Sequence, residues 1–380
     1  MFEDFVSAFK EELEQIKNSW YRIGLITLFP LLCFGLIIAI FHKGVACELP
    51  LAVVDYDKSS LSRKLLFNID ASSTIHITQQ LKSAKSAMKL LQESKVYGIV
   101  IIPKNFEKDV YLKKSPKVTA LLNTQYILIS KVFKASLLET TSTLAGSFEF
   151  LHNLTKSEPI NEAISRVTPI KLYIATFFNT YKNYFYFLVS ALLPSIWQIF
   201  VVITTVVSFG TLFKLKKEQL FFANGSIEMK ILGKLAPYTI AYFLLGAGYI
   251  FYLYGFEPWP FEGSISVMLF AILLTTVAYQ VVALFLFVTG FDYARSLSLG
   301  AVYTAPAFAF LGITFPIYSM NDFAIFWRDL LPISYLVNIQ ISLANYGASA
   351  LQQIDNLWHI SLFLLFFIPV FLQFRRRLGR

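Results

Sequence analysis

Gly233-Lys234 is the pair in this chain most like the end of a phosphate-binding loop. Such a loop needs Gly-x-x-x-x-Gly-Lys-Ser/Thr, so that backbone amides and the lysine cradle phosphates while the hydroxyl holds magnesium. Here Leu235 follows the lysine, and the required spacing occurs nowhere in the chain. If ATP drives this protein, another subunit binds it. The histidines (His42, His76, His152, His359) are scattered without metal-ligand spacing and read as structural. Asp55, Asp57 and Asp70 suggest acid–base work, but no nucleophile–base pair accompanies them, so turn and cap roles explain them better. The chain is therefore expected to hold no catalytic residue, no metal site and no cofactor site of its own.

The elements around these residues are apolar. The 380 residues are 56% hydrophobic and only 15% charged, with a mean hydropathy of +0.58. A soluble domain has about 25% charged residues. Six stretches, 23–41, 184–213, 235–255, 264–290, 297–313 and 357–374, carry no charge and read as membrane helices of the roughly 20 residues that cross a bilayer. Ion-coupled carriers keep Asp, Glu, Lys or His at membrane depth, and these stretches argue against that class. The net charge of +9 does not point to nucleic acid, because Lys214, Lys216, Lys217, Lys230, Lys234 and Arg375 to Arg377 border the apolar stretches. By the positive-inside rule these borders, with Arg295, place both termini in the cytoplasm. Cys33 and Cys47 are too far apart along a helix and its exit to form a disulfide.

Residues 1–21 read as an amphipathic helix lying in the interface. Phe2, Phe5, Val6, Phe9, Leu13, Ile16 and Trp20 share one face, and Glu3, Asp4, Lys10, Glu11, Glu12, Glu14 and Lys17 fill the other. Residues 22–42 are the first membrane helix. The segment 43–183 reads as a water-exposed α/β domain. Strands are expected at 51–55, 75–77, 97–102 and 118–122, and helices at 61–69 (capped by Ser59 or Ser60), 82–95 and 106–112. Helices returning to the membrane follow from 126, with breaks at Pro159 and Pro169. Residues 184–380 hold the other five membrane helices. The uncharged part of the 314–354 region carries Pro332, Asn338, Gln340, Asn345 and Gly347, and reads as helices dipping back from the outer surface. Asp292 and Arg295, at i and i+3, are placed to pair.

Two segments invite a mechanical reading. In the loop 209–234, Leu220, Phe221, Phe222 and Ala223 offer an apolar surface for a partner's groove, and Asn224-Gly225 ends that helix. The plain alternative is an amphipathic loop helix snorkelling its lysines. On the first reading, Asp at Phe221 and Phe222 abolishes transport without loss of folding. Beyond the fifth stretch, Pro316 breaks the helix and biases Phe315 away from it, Trp327 suits an interface and Pro332 starts a new segment. That reads as a re-entrant gate, or more plainly as a surface loop. Polar groups inside the stretches, Thr204, Thr205 and Gln198 among them, form helix–helix hydrogen bonds by default. The alternative is a pathway lined by Thr204, Thr205, Tyr303 and Phe308, suited to a hydrophobic or amphipathic substrate.

Three stretches resemble the ABC-2 type permeases, membrane subunits of bacterial ATP-driven exporters. LAVVDYDKSSLSRKLLFNIDAS (51–72) with YGIVIIPKNFEKDV (97–110) resembles the family's extracytoplasmic domain. FGTLFKLKKEQLFFANGSIEMKILGKLAPY (209–238) is similar to its cytoplasmic coupling loop, although lysines stand early in this loop where members often carry acids, with Glu218 the exception. GITFPIYSMNDFAIFWRDLLPISY (312–335) resembles the break after its fifth span. The resemblance implies an α-helical integral membrane protein of six transmembrane helices in a 1+5 layout with an inserted α/β domain. It also implies a place in the bacterial inner membrane and a second permease copy, identical or paralogous. An ATPase dimer carrying ATP and Mg would dock on the 209–234 loop and the N-terminal helix, and a periplasmic adaptor on the outer domain. It assigns ATPase coupling to Lys217, Leu220, Phe221, Phe222, Asn224, Gly225, Gly233 and Lys234, and a re-entrant gate to Phe315, Pro316, Met320, Trp327 and Pro332. An ion-coupled transporter and a membrane receptor with an external ligand-binding domain are the alternatives.

Overall fold

The computed structural model describes residues 1–42, 44, 47–112, 114–125, 127–154, 183–257 and 259–379. The expected breaks at Pro159 and Pro169 lie outside the described residues. The chain forms two compact units, Met1–Gly44 with Thr176–Arg380, and Val45–Ala175.

The chain opens with α1 (Phe2–Lys17), whose first turn is acidic and last turn basic, as the helix dipole favours. It stops at Asn18, short of the expected end, and α2 (Trp20–Ile26) and α3 (Leu28–Phe41) follow with a kink at Thr27. The Thr27 hydroxyl donates to the Ile23 carbonyl at 2.8 Å, which satisfies that carbonyl at the kink.

In the second unit, β1 (Leu49–Asp55), α4 (Ser60–Asp70), β2 (Ile75–Gln80), α5 (Ala84–Gln92), β3 (Gly98–Ile102), α6 (Phe106–Tyr111) and β4 (Thr119–Leu122) alternate before the long α7 (Ile127–Leu154). The sheet order is β2-β1-β3-β4. β1 pairs in parallel with both neighbours, and β4 adds antiparallel to β3. A central parallel strand is covered on both faces, which is why Leu51 to Val54 form an unbroken apolar run and are all 0% exposed. Val53, Leu65, Ile69 and Phe133 fill one side; Ala52, Val54, Ala87 and Ile99 fill the other.

The three aspartates have the turn and cap roles expected. Asp55 accepts from the Asp57 and Lys58 amides and the Ser62 hydroxyl, Asp57 accepts from the Glu107 amide, and Asp70 from the Ile77 amide. Ser59 is the cap of α4, accepting from the Ser62 amide at 3.1 Å. Ser59→Ala is expected to lower the melting midpoint of this unit, at a cost of about 1 kcal/mol.

The first unit resumes through a π-turn at Phe185–Val189 into α8 (Ser190–Lys214). Then come α9 (Glu218–Phe221), α10 (Ile227–Phe251), α11 (Ile265–Val288), α12 (Tyr293–Thr304), α13 (Ala307–Phe310), α14 (Asp322–Asp329), α15 (Pro332–Tyr346), α16 (Ile354–Leu362) and α17 (Phe367–Leu378). Five helices among the described residues are long and apolar enough to cross a membrane: Trp20–Phe41, Phe185–Lys214, Ile227–Phe256, Ile265–Val288 and Ala350–Leu378. The expected fifth of six, 297–313, is not among them. Thr304 ends α12 after 12 residues, and Pro306 cannot donate to continue the ladder. Twelve residues rise only about 18 Å. Asp292 does not pair with the Arg295 guanidinium as expected; its carboxylate accepts the Arg295 amide at 2.7 Å and caps α12.

The core of this unit is large and aromatic, with Trp197, Tyr238, Tyr242, Tyr279 and Phe287 fully buried. Leu31, Leu32 and Leu36 on α3, Leu244 on α10 and Ile368 on α17 stand exposed on its outside, where lipid rather than water makes an apolar surface stable.

Candidate functional site

At one end of the helical unit, α1 lies against the start of α10 and the loop before it. The most buried positions of α1 are not its aromatic ones. Ala8 and Glu12 are buried, at 2% and 0% exposure, while Phe5 and Phe9 are half-buried and Phe2 stands out at 77%. Glu12, expected on the solvent face, is a correction with a plain cause. Asp4, Ala8 and Glu12 at i, i+4 and i+8 form a stripe with a small residue at its middle, and only that stripe lets the two backbones approach.

Glycines on the opposing side complete the approach. A Cβ on Gly233 would fall 2.4 Å from the Phe5 carbonyl oxygen. Gly225 has φ +84°, and its missing side chain leaves room for the Asp4 carboxylate, which accepts the Ser226 amide at 3.2 Å. That amide holds the Asp4 carboxyl below its ordinary value.

Glu12 then reaches a buried cluster. Its Oε1 accepts from Arg22 Nη1 at 2.6 Å, the Ser208 hydroxyl at 2.8 Å and the Tyr238 hydroxyl at 2.5 Å. Its Oε2 accepts from Lys234 Nζ. Four partners from α2, α8 and α10 thus meet one carboxylate from α1. Lys234 is 0% exposed, its ammonium 5.6 Å from the Phe209 ring centroid and 5.3 Å from that of Phe221. A carboxylate out of water is tolerated only when paired and hydrogen-bonded, and this one is saturated. Burial pushes the Glu12 carboxyl up, but Lys234 and Arg22 outweigh it and hold the group below its ordinary value.

The sign of the pH dependence follows. A depressed folded-state value means that the stabilisation is full above the ordinary carboxyl range and is lost as pH falls through the lower folded value. The melting midpoints of wild type and Glu12→Gln are therefore expected to stay apart from pH 7 to about 5 and to converge below about 4. A constant gap down to pH 3 would show that Glu12 is not the titrating link.

The loop residues divide sharply. Phe221 and Phe222, expected to face a partner, are buried at 6% and 2%. Phe222 lies 5.7 Å from Phe374, and Lys230 donates to the Phe221 carbonyl at 2.5 Å. Within this chain they form the floor of the loop. The turn is a single one of four residues, and it puts Leu220 on the outside while Phe221 and the following Phe222 go in. Leu220 is 79% exposed, Lys217 and Asn224 are exposed, and Leu215 is 57% exposed. Lys234 and Gly233, assigned to ATPase coupling, face α1 instead. The guanidinium of Arg375 meets Glu228 at 2.6 Å, so α17 ends beside the same loop.

In the 314–354 region, Phe315 is exposed, Pro316 is extended, and Met320 closes a 3₁₀ turn at Ile317–Ser319. Asn321 caps α14 through the Ala324 amide at 2.9 Å. Trp327 is half-buried against Phe310 and Phe323. Pro332 takes the first turn of α15, where its missing amide costs nothing, and α15 buries Ile333, Leu336, Ile339 and Leu343.

The residues expected to line a pathway are packed within this one chain. The Thr204 hydroxyl and the Tyr242 hydroxyl are 2.5 Å apart, and Tyr242 donates to the Leu25 carbonyl at 3.1 Å, tying α8 to α10 and α2. Thr205 donates back to the Val201 carbonyl. Both threonines are at most 1% exposed; the Thr204 bond joins two helices, whereas the Thr205 bond stays within α8. Tyr303 donates to the Leu330 carbonyl at 2.5 Å, and Phe308 is half-buried against the aromatic core.

Glu12, Arg22, Ser208 and Tyr238 are the residues sequence reasoning missed. The available signal was the acid–small–acid stripe of α1 facing a loop that ends in Gly-Lys.

Several long apolar helices around an aromatic core, with a short loop helix clamped at one end, mark an integral membrane protein. The family model of ABC-2 family transporter proteins matches residues 22–373. The chain belongs to that family, whose members are membrane transport components. The match begins at Arg22, inside the charge cluster, and leaves α1 before it. No curated protein matches the sequence.

Proposed function

We propose that this chain is the permease subunit of an ATP-driven exporter in the bacterial inner membrane. It moves a hydrophobic or amphipathic substrate (drug-like, lipid-like or an envelope component) outward. A dimer of separate ATPase subunits supplies the energy from Mg-ATP, and a second permease copy, identical or paralogous, completes the route. Both termini and the 209–234 loop lie in the cytoplasm; the α/β unit lies outside, where an adaptor can meet it. Phe315, Pro316, Met320, Trp327 and Pro332 belong to the structure that caps the outer end. Tyr303 and Phe308 lie on the short helices nearest that cap.

One observation carries the reading. The loop is fixed from beneath by Phe221, Phe222, Gly233 and Lys234, and presents Leu215 and Leu220 among Lys214, Lys216 and Lys217. A surface that is rigid below and apolar and basic above can pass force from a docked motor into α8 and α10. Arg375 and its neighbours at the same end fit the positive-inside rule.

Leu220→Asp tests it. The side chain is exposed, so folding should be unchanged. Loss of a central interface anchor costs about 2 kcal/mol or more, so ATPase recovered with the tagged permease should fall roughly 30-fold. Undiminished ATPase recovery with Leu220→Asp and Lys217→Glu combined would remove the loop as the docking site.

A further inference from the structure

A second feature stands well away from the loop. His359 lies on the last helical run about 24 Å from Arg375, taking the ordinary helical rise. A cleft of ≈ 210 Å³ opens there, lined by Asp329, Tyr335, His359, Leu362, Phe363 and Phe366. Pockets that enclose a whole drug-sized ligand run to about 300–1,000 Å³. This one has room for the end of a molecule.

Its polar wall is one-sided in chemistry. The Tyr335 and His359 rings stack, with centroids 5.0 Å apart and planes at 12°. Tyr335 spends its proton on the Asp329 carbonyl at 3.3 Å. His359 Nδ1 lies 2.8 Å from the Asp355 carbonyl oxygen. A carbonyl only accepts, so Nδ1 carries the proton, with the Asp355 carboxylate 3.6 Å from it, and in the neutral tautomer Nε2 accepts. Among the described residues Nε2 has no partner. Asp329 gives one oxygen to Arg328 Nη1 at 3.0 Å and keeps the other free among the described residues, in a side chain 50% exposed. The wall therefore offers acceptors and π faces and no free donor. Two carboxylates, Asp329 and Asp355, stand against one guanidinium, Arg328, so the mouth is negative by one charge.

The other wall is apolar and continues outward. Leu362, Leu365, Ile368 and Leu372 are 38%, 59%, 59% and 59% exposed and share one face for about 15 Å. Trp358, beside His359, is 61% exposed, the placement of a membrane-interface tryptophan.

We propose that this cleft binds the primary ammonium head of a membrane amphiphile, with its chain along the Leu362–Leu372 stripe. The ammonium donates to the free Asp329 oxygen and to His359 Nε2, and it meets the Phe363 and Phe366 rings as a cation–π partner. The site is independent of the loop and of any ATPase.

The test uses the purified full-length chain in mild detergent, titrated with dodecylamine at neutral pH and followed by thermal melting. Dodecylamine should raise the melting midpoint saturably, while dodecanol should not. Asp329→Asn keeps the shape and is tolerated at a half-exposed site; it should weaken the dodecylamine response about tenfold or more. His359→Leu should do the same, and Tyr335→Phe should leave it nearly intact. Equal responses to dodecanol and dodecylamine, or an unchanged response in Asp329→Asn, would overturn the proposal. Native mass spectrometry separates two sources of the amine. An ethanolamine lipid that co-purifies and is displaced by dodecylamine marks a resident lipid. Saturable dodecylamine binding with no lipid retained marks a transient amphiphile. Both outcomes support the site.

Discussion

Glu12→Ala releases α1 from the helical unit, at a cost of about 3–5 kcal/mol. The substitution leaves Lys234 and Arg22, at 0% and 3% exposure, without their anion. Two cations stay out of water near each other, and Ser208 and Tyr238 each lose an acceptor. Lys234→Met should cost less, because Glu12 keeps Arg22, Ser208 and Tyr238. Glu12→Gln combined with Lys234→Met should recover only part of the Glu12→Ala loss, since one buried cation is removed while Arg22 still lacks its anion. Thermal melting in detergent, with trypsin cleavage at Lys10 and Lys17 as the local readout, measures all three. If Glu12→Ala melts and cleaves like wild type, the cluster does not hold α1. If it is the most damaging of the three, α1 is fastened to the loop by charge, and a motor pushing on the loop also moves α1.

Phe222→Asp has an effect of the same size by a different route. Losing a buried Phe costs about 3–5 kcal/mol, and the incoming carboxylate finds Phe374 and Phe221 around it in place of water. The protein should fail to accumulate in folded form, seen as loss of the monodisperse peak on size-exclusion chromatography. This reverses the expectation that Asp at Phe221 and Phe222 leaves folding intact while stopping transport. A monodisperse peak of normal yield would restore Phe222 to the docking surface. Leu220→Asp, two residues away and exposed, is the comparison that separates lost folding from lost docking.

The contrast between Leu220 and Phe222 shows where sequence reading stops. A run of Leu-Phe-Phe on a four-residue helix carries no periodicity by which to choose its buried side. The same limit applies to α1. Its aromatic stripe gives a clear amphipathic pattern, yet the most buried positions are Ala8 and Glu12, because close approach to Gly233 needs a small residue rather than an apolar one. The fifth apolar stretch shows the same limit. Composition averages over 297–313, whereas the missing amide of Pro306 acts at one position and stops the helix.

Where local chemistry dominates, the sequence was sufficient. In the α/β unit β1 and β3 are short apolar runs, the Ser59 and Ser83 hydroxyls cap α4 and α5, and the alternation of strands with helices points to parallel pairing around β1. The same holds for the long helices, since some 20 uncharged apolar residues have nowhere stable to be except a bilayer or a core. The motifs at 51–72, 209–238 and 312–335 likewise pointed to the family to which the chain belongs. Tertiary structure alone decided the rest. The Glu12–Lys234 pair joins residues 222 apart in sequence, and the amine-sized cleft joins Asp329, Tyr335 and His359 from three helices or their ends. Contacts of that kind depend on how helices cross and which side chains the crossing desolvates, and no local pattern in a single chain encodes either.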